Sequence, residues 1–218
     1  MKKLLLILAL TLVSLTNVNS QTNLYENPDF DEIAKTHNII AIVPFKTHVK
    51  LRPKQMKDMT AEKLERLEKA EGLSIQTAMH SWFLKRKKRG TLSINVQDPK
   101  RTNALLKKEN ISYENIQDQL PEDLAKLLGV DAIISGDYET NKPMSDGASI
   151  ALGVLVGFFG STNSATINMN VYNATDAVLL WNYNKKVRGS IGSSPEDLIN
   201  ILMRKASRRL AYTKNSKN

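Results

Sequence analysis

A continuous apolar run is the feature that most constrains the fold of this chain. Residues 38–45 read Asn-Ile-Ile-Ala-Ile-Val-Pro-Phe, with five consecutive apolar side chains before the proline. A run of this kind is typical of a strand buried on both faces, whereas a strand with one wet face alternates apolar and polar residues. Pro44 must stand at the end of the strand, because proline has no N–H to donate to a central ladder. The run therefore favours a layered α/β architecture.

The rest of the chain alternates between helical and extended patterns. Apolar residues recur at helical spacing from about residue 60 to 88, where Gly72 is expected to kink or loosen the helix. Residues 46–58 are basic and loop-like. Other patterns predict a strand at 91–97, helices at 98–108 and 121–128, a strand at 130–138, a hairpin over 165–183 and a helix that begins at Ser194-Pro195.

These elements predict one α/β layered domain over residues 38–212. Its order is β-α-β-α-β, an insertion at 141–164, then β-β-α, which gives a mixed sheet packed by helices. Residues 21–37 are expected to form an irregular lead-in, and residues 213–218 a polar tail.

The N-terminus has the pattern of a secretory signal peptide over residues 1–20. Lys2 and Lys3 precede an apolar run from Leu4 to Val13, and small residues stand before the predicted cleavage after about Ser20. The run is too short for a transmembrane helix, which needs ~20 apolar residues. The chain has no cysteine, which excludes disulfides, thiolate metal sites and the lipid attachment of a bacterial lipoprotein. We expect an exported protein of the bacterial periplasm or beyond, without a lipid anchor and without a transmembrane helix.

The insertion contains an almost wholly apolar stretch at 147–160. It includes a Gly-x-x-x-Gly spacing, which lets two helices approach closely, but it is too short to span a bilayer as a helix. Three interpretations stay open: a segment buried on the sheet, a surface for self-association or for an envelope partner, and membrane insertion. The residues that would make such a contact are Gly153, Val154, Leu155, Gly157, Phe158 and Phe159.

Motifs for catalysis, metals or cofactors are not found in the sequence. His37, His48 and His80 do not stand at metal-ligand spacing, and the hydrolase elbow and the phosphate-binding glycine loops are missing. We therefore predict no cofactor and no enzymatic activity. The remaining hypothesis for catalysis uses the carboxylates around the 130–138 strand, although Asp131 is better explained as a partner for nearby loop amides. Those carboxylates are Asp131, Asp137 and Glu139.

Basic clusters give the chain a formal net charge of +9. The densest cluster is Lys85, Arg86, Lys87, Lys88 and Arg89 at the end of the long helix. Such clusters favour an anionic polymer or a lipid headgroup as partner, and they are equally typical of a solvated basic face. Nucleic acid is not expected, because the chain carries an export signal and only 6% aromatic residues.

Three short segments resemble the CsgG-like and TolB amino-terminal-like group of envelope α/β domains, which includes the curli secretion channel and PelC-type lipoproteins. They are the opening strand at 40–45, the helix–Gly-x-Asp–strand segment at 127–138 and the hairpin at 171–181. The resemblance implies a non-enzymatic part of an envelope assembly or secretion system, in a group where several members form rings. Lipid anchoring and pore formation do not carry over, because the lipobox cysteine and the long membrane hairpins are missing. Asn173 and Asp176-Ala177 also replace the usual hairpin residues.

Overall fold

One mixed sheet with helices on both faces forms the framework of the protein. A computed structural model describes residues 22–51, 56–57, 59–140, 164–188, 195–206 and 208–213. In these ranges the strands are β1 (Thr22–Glu26), β2 (Ile39–Ile42), β3 (Lys46–Val49), β4 (Asn95–Val96), β5 (Ala132–Thr140), β6 (Ser164–Asn173) and β7 (Leu179–Arg188). The helices are α1 (Phe30–Thr36), α2 (Ala61–Lys88), α3 (Pro99–Lys108), α4 (Pro121–Leu128) and α5 (Pro195–Ala206). The predicted α/β class with a mixed sheet is confirmed.

The sheet has the order β1-β7-β6-β5-β2-β4, and β3 also pairs with β5. Strands β5, β6, β7 and β1 pair antiparallel, whereas β2 and β3 run parallel to β5 and β4 runs parallel to β2. The segment around Pro44 separates β2 from β3, so that one neighbour of β5 consists of two consecutive short strands. The prediction that Pro44 ends a strand is confirmed. The prediction of a loop from residue 46 is wrong for 46–49, because Thr47 and Val49 are buried in the sheet.

β2 is buried on both faces because helices pack on each side of the sheet. Ile40 and Ile42 point into the larger core beneath α2 and α5, together with strand residues of β5, β6 and β7. Ala41 and Val43 point to the opposite face, where α3 and α4 cover them together with Ile133. Each of these four β2-segment side chains is at most 2% exposed. The unbroken apolar run is therefore required by helices on both sides of the sheet.

Helix α2 is the longest element, and its glycine has a different role from the predicted one. The Thr60 hydroxyl caps the helix by accepting a hydrogen bond from the Lys63 N–H at 3.2 Å. The helix continues through Gly72, which is buried against the β2–β3 junction. A Cβ at this position would lie 2.3 Å from the Phe45 carbonyl oxygen and 2.8 Å from Tyr113 Cε2. Glycine is needed here for close approach, rather than for a kink.

Side chains complete the hydrogen bonding of β3 on the side away from β5. The Thr47 N–H donates to the Tyr113 hydroxyl at 2.7 Å, and the Val49 N–H donates to Glu68 Oε1 at 3.0 Å. Buried backbone donors need such partners, because an unpaired N–H away from water costs about as much as a lost hydrogen bond. Tyr113 and Glu68 therefore take the place of a further strand.

The predicted irregular lead-in at 21–37 is wrong, because it contains β1 and α1. β1 pairs with β7, and Phe30 of α1 is fully buried with its ring edge-to-face on Tyr212 at 5.4 Å. Both partners lie near the other end of the chain, so the local pattern carries no sign of them. The predicted polar tail also starts one residue too early, since Thr213 is buried in a short 3₁₀ turn.

The predicted strand at 91–97 is reduced to β4. Leu92 and Ile94 are buried as the alternation requires, but the Ser93 N–H donates to the Tyr212 carbonyl instead of a neighbouring strand. The predictions for α3, α4 and the β6–β7 hairpin are confirmed. Asp98 caps α3 by accepting from the Lys100 N–H, and Gly129 ends α4 with a left-handed φ of 66°. α5 is confirmed over Pro195–Ala206, while Ser194 lies outside the described residues.

Candidate functional site

The basic residues predicted at the end of α2 form a groove between this helix and α5. Lys85, Arg86 and Arg89 line it together with Trp82 and Asn200, around a cavity of about 260 Å³. We call these five residues the basic groove. Lys85 and Arg89 are exposed and Arg86 is half-buried, so three cationic side chains border one depression.

The Arg86 guanidinium is held against an aromatic ring at the floor of the groove. Its Cζ lies 4.9 Å from the centre of the Trp82 ring, which is within the range of a cation–π interaction. Trp82 is itself fixed, because it is only 6% exposed and packs edge-to-face on the buried Phe83 at 5.2 Å. The stacked guanidinium loses less freedom on binding an anion than an extended surface arginine would.

The position of the groove follows from helix packing. α2 and α5 cross on the same face of the sheet, where α5 buries Ile199, Leu202 and Met203 in the main core. Asn200 of α5 is half-buried and lines the groove together with the residues at the end of α2. The cations also lie at the C-terminal end of α2, where they more than offset the roughly −0.5 charge of the helix dipole.

Other predicted site residues lie elsewhere. Lys87 and Lys88 are exposed on the same turn but do not line the groove. The proposed contact residues of the insertion lie outside the described residues and stay a prediction. They are Gly153, Val154, Leu155, Gly157, Phe158 and Phe159.

The carboxylates considered for catalysis are mostly engaged in local interactions. Asp131 Oδ2 accepts from the Asn38 N–H at 2.6 Å and from the Ile39 N–H at 3.0 Å, which confirms its role as a partner for loop amides. Glu139 forms an ion pair with Lys50 at 2.8 Å on the surface. Asp137 lies exposed on the same strand. This arrangement offers no general acid–base pair, and the catalytic hypothesis gains no support from it.

His37 lies in a buried hydrogen-bonded network. Its Nδ1 is 2.7 Å from the Tyr212 hydroxyl and its Nε2 is 3.2 Å from Asn173 Oδ1. Burial lowers the pKa of His37, while the bond to Asn173 and the charge of Asp131 act in the opposite direction. The ring therefore joins the N-terminal helix, the hairpin turn and the C-terminal segment.

The other histidines do not extend this network. Burial lowers the pKa of the half-buried His80, and the charge of Asp98 partly opposes it. His48 is exposed on β3. The histidines, aspartates and glutamates in the described ranges form no group of three that could hold a metal ion.

A second polar surface was not predicted from the sequence. Asn168 and Asn170 on β6 lie opposite Asn184 and Asn182 on β7, on the sheet face turned away from α2 and α5. We call these four residues the amide face. The Asn182 side-chain NH₂ donates to Asn168 Oδ1 at 2.7 Å and to Asn170 Oδ1 at 2.6 Å. The sequence shows only that apolar and polar residues alternate in these two strands. Such alternation is typical of any sheet with one face exposed to solvent.

Comparisons with known proteins give a partial likeness in structure alone. No protein-family model and no curated protein matches the chain. Similar solved structures include the lipoprotein GNA1162 from Neisseria meningitidis, with 13% identity over 83% of this chain and 99% of that chain and a TM-score of 0.46. The PelC dodecamer from Paraburkholderia phytofirmans gives 8% identity, 90% and 99% coverage and a TM-score of 0.41. LpoB from E. coli gives 5% identity, 74% and 65% coverage and a TM-score of 0.42.

Identities and TM-scores this low carry no argument about family or activity. The CsgG-like and TolB amino-terminal-like assignment therefore stays a prediction. Across the residues that the structure describes, no helix combines the length and apolar character needed to cross a bilayer.

Proposed function

We propose that the protein is an exported, non-enzymatic module of the cell envelope that supports assembly or secretion, and that it holds an anionic partner in the basic groove. The observation that carries the binding part is the Arg86 guanidinium stacked on Trp82 between Lys85 and Arg89. The signal-peptide pattern and the resemblance described above support the envelope part.

The groove suits phosphate or carboxylate groups presented in a series. A guanidinium offers parallel N–H donors that match such oxyanions, and the guanidinium of Arg86 lies over the Trp82 ring. Lys85 and Arg89 add two exposed positive charges beside it, which suits repeated anions on a polymer or at a membrane surface.

The test is binding of the purified protein to two anionic probes over a range of salt concentrations. Vesicles of phosphatidylglycerol, compared with phosphatidylcholine vesicles, test for a lipid headgroup, and soluble polygalacturonate tests for a polymer. We expect the triple change Lys85→Gln, Arg86→Gln and Arg89→Gln to weaken binding about tenfold or more, equivalent to ~1.4 kcal/mol. Wild-type binding should also weaken as salt rises.

A matched control removes three charges at another exposed place. Lys100, Lys107 and Lys108 lie at the two ends of α3, and their change to glutamine lowers the net charge by the same amount. This control should bind nearly as well as the wild type. Equal losses in the two triple variants would mean that only the overall charge matters, and binding that ignores salt would contradict the proposal altogether.

The assembly part has its own measurement. Light scattering gives the solution mass of the wild type and of a deletion of residues 147–160. An oligomer that the deletion turns into a folded monomer would support an assembly surface in the insertion. A monomer in both cases would argue against self-association and leave the anionic partner as the remaining function.

A further inference from the structure

The amide face lies on a side of the sheet that carries no apolar cluster among the described residues. In β6 the residues 165, 167, 169, 171 and 173 are buried, while the residues between them are only half-buried. The apolar cluster under α3 and α4 takes in residues of β2 and β5 but no strand residue of β6, β7 or β1. Among the described residues α4 contacts β6, but no apolar cluster covers the side of β6, β7 and β1 that carries the amide face.

The antiparallel register arranges the polar side chains of this region in two transverse rows. Asn23 lies opposite Asn184, which lies opposite Asn168. Tyr25 lies opposite Asn182, which lies opposite Asn170. Leu24, between the two β1 residues, packs into the main core, which places its neighbours on the open side.

Each row continues to β5. Asn168 is opposite Asp137, and Asn170 is opposite Ser135. Since neighbouring strands lie ~4.8 Å apart, a row over four strands spans about 14 Å. This length suits an extended chain that crosses the strands.

Hydrogen bonds between the amides hold them in a fixed arrangement. Both hydrogens of the Asn182 NH₂ are used, one for Asn168 and one for Asn170. The arrangement leaves Asn182 Oδ1 as an acceptor and the NH₂ groups of Asn168 and Asn170 as donors, with no side-chain partner in the described residues. Donors and acceptors therefore alternate over a few ångströms, and little side-chain entropy remains to be lost on binding.

The chemistry of this surface differs from that of the basic groove. Its centre is uncharged, and the charged residues at its border have both signs: Lys186 on β7, and Asp137 and Glu139 on β5. Tyr25 stands at the end of one row with 45% of its surface exposed. A tyrosine ring offers an apolar plane that can stack on the C–H face of a sugar ring, next to a hydroxyl that can bond a sugar hydroxyl.

We propose that the amide face binds an uncharged polysaccharide chain. Sugar hydroxyls donate and accept at once, as the amide side chains do, and the lack of net charge at the centre gives no preference for an anion. Tyr25 would stack on one sugar ring while the amides bind hydroxyls of its neighbours. This inference goes beyond the proposed function and uses none of the residues of the basic groove.

The experiment is calorimetric titration of the full protein with four neutral probes: cellohexaose, maltohexaose, laminarihexaose and chitohexaose. We expect saturable binding of at least one of them that is insensitive to salt. Asn182→Ala and Tyr25→Ala should each weaken it about tenfold. Both positions face away from the main core, and circular dichroism with thermal unfolding checks that each variant keeps the fold.

The control is the basic-groove triple variant, Lys85→Gln, Arg86→Gln and Arg89→Gln. It should bind the oligosaccharide as the wild type does even where it has lost the anionic probe, so the two proposals fail separately. Absence of binding by the wild type to all four probes would overturn the inference. Binding that survives both Asn182→Ala and Tyr25→Ala would overturn it too. If Asn182→Ala kept its affinity for the oligosaccharide and only lowered the solution mass of the protein, the amide face would be a contact between copies of this chain, and the inference would again be wrong.

Discussion

Replacing Gly72 with alanine is the sharpest test of how α2 packs on the sheet. In an exposed helix interior this change stabilises by up to ~1 kcal/mol, because alanine has the higher helix propensity. Here the new Cβ would lie 2.3 Å from the Phe45 carbonyl oxygen and 3.3 Å from Thr47 Oγ1. The first atom belongs to the backbone of the β2–β3 junction, which cannot turn aside as a flexible side chain can. Overpacking of a core costs ~1–3 kcal/mol, and a backbone contact this close places the cost at the upper end.

The net expectation is a loss of about 2 kcal/mol in the free energy of unfolding, measured from urea titration followed by circular dichroism. A change of this size lowers the melting temperature by about 4–8 °C in a protein of this length. Thr77→Ala, at an exposed position one and a half turns further along α2, is the control and should be neutral or slightly stabilising. A Gly72→Ala protein as stable as the wild type would refute the close approach of α2 to the β2–β3 junction.

Three further outcomes follow from the hydrogen bonding of the described residues. Tyr113→Phe leaves the buried Thr47 N–H without its acceptor and should cost about 1–3 kcal/mol in urea titration, unlike a mere surface change. Tyr183→Phe removes a buried hydroxyl that has no hydrogen-bond partner among the described residues and whose pKa burial raises to about 12, so the unfolding free energy should stay equal or rise by about 1 kcal/mol. Because burial lowers the pKa of His37 below its unfolded value of ~6.5, the unfolded state takes up the proton first and stability should fall as the pH drops through that value. His37→Asn should make this slope shallower in thermal unfolding between pH 7 and pH 5, while His80, whose pKa burial also lowers, still contributes to it. The exposed His48→Gln should keep the slope, and an unchanged slope in His37→Asn would contradict the buried network.

The elements predicted from the sequence are those whose signals lie within the element itself. The helix α2 shows apolar spacing and a Thr60 cap, and α4 has a proline at its start and Gly129 at its end. An unbroken apolar run predicts β2, because such a run is typical of a strand that is covered by helices on both faces. In each case the residues that determine the element are neighbours in the chain.

The missed elements depend on partners far along the chain. β1 and α1 contain few apolar residues, and they are held by β7 and by Tyr212 near the other terminus. β3 has only four residues, and half of its hydrogen bonding is supplied by side chains. Local periodicity carries no record of such contacts.

The basic groove and the amide face also differ in how much of each the sequence predicts. The cluster at 85–89 is visible in the sequence, but the stack of Arg86 on Trp82 and the wall that Asn200 contributes depend on how α5 lies on α2. The amide face needs the register of β6 against β7, since a shift by one residue would turn the same asparagines into the core.

The side-chain partners of β3 help to determine which edge of the sheet could pair with a further strand. Tyr113 and Glu68 occupy the outward N–H groups of β3, so an approaching strand finds no donors there. β4, at the far end of the sheet order on the same side of β5, has only two residues and offers little template. β1 is the opposite terminal strand, with five residues paired on one side only among those that the structure describes. A strand contributed by another molecule would therefore join beside β1, and it would carry the two transverse rows onward rather than cover them.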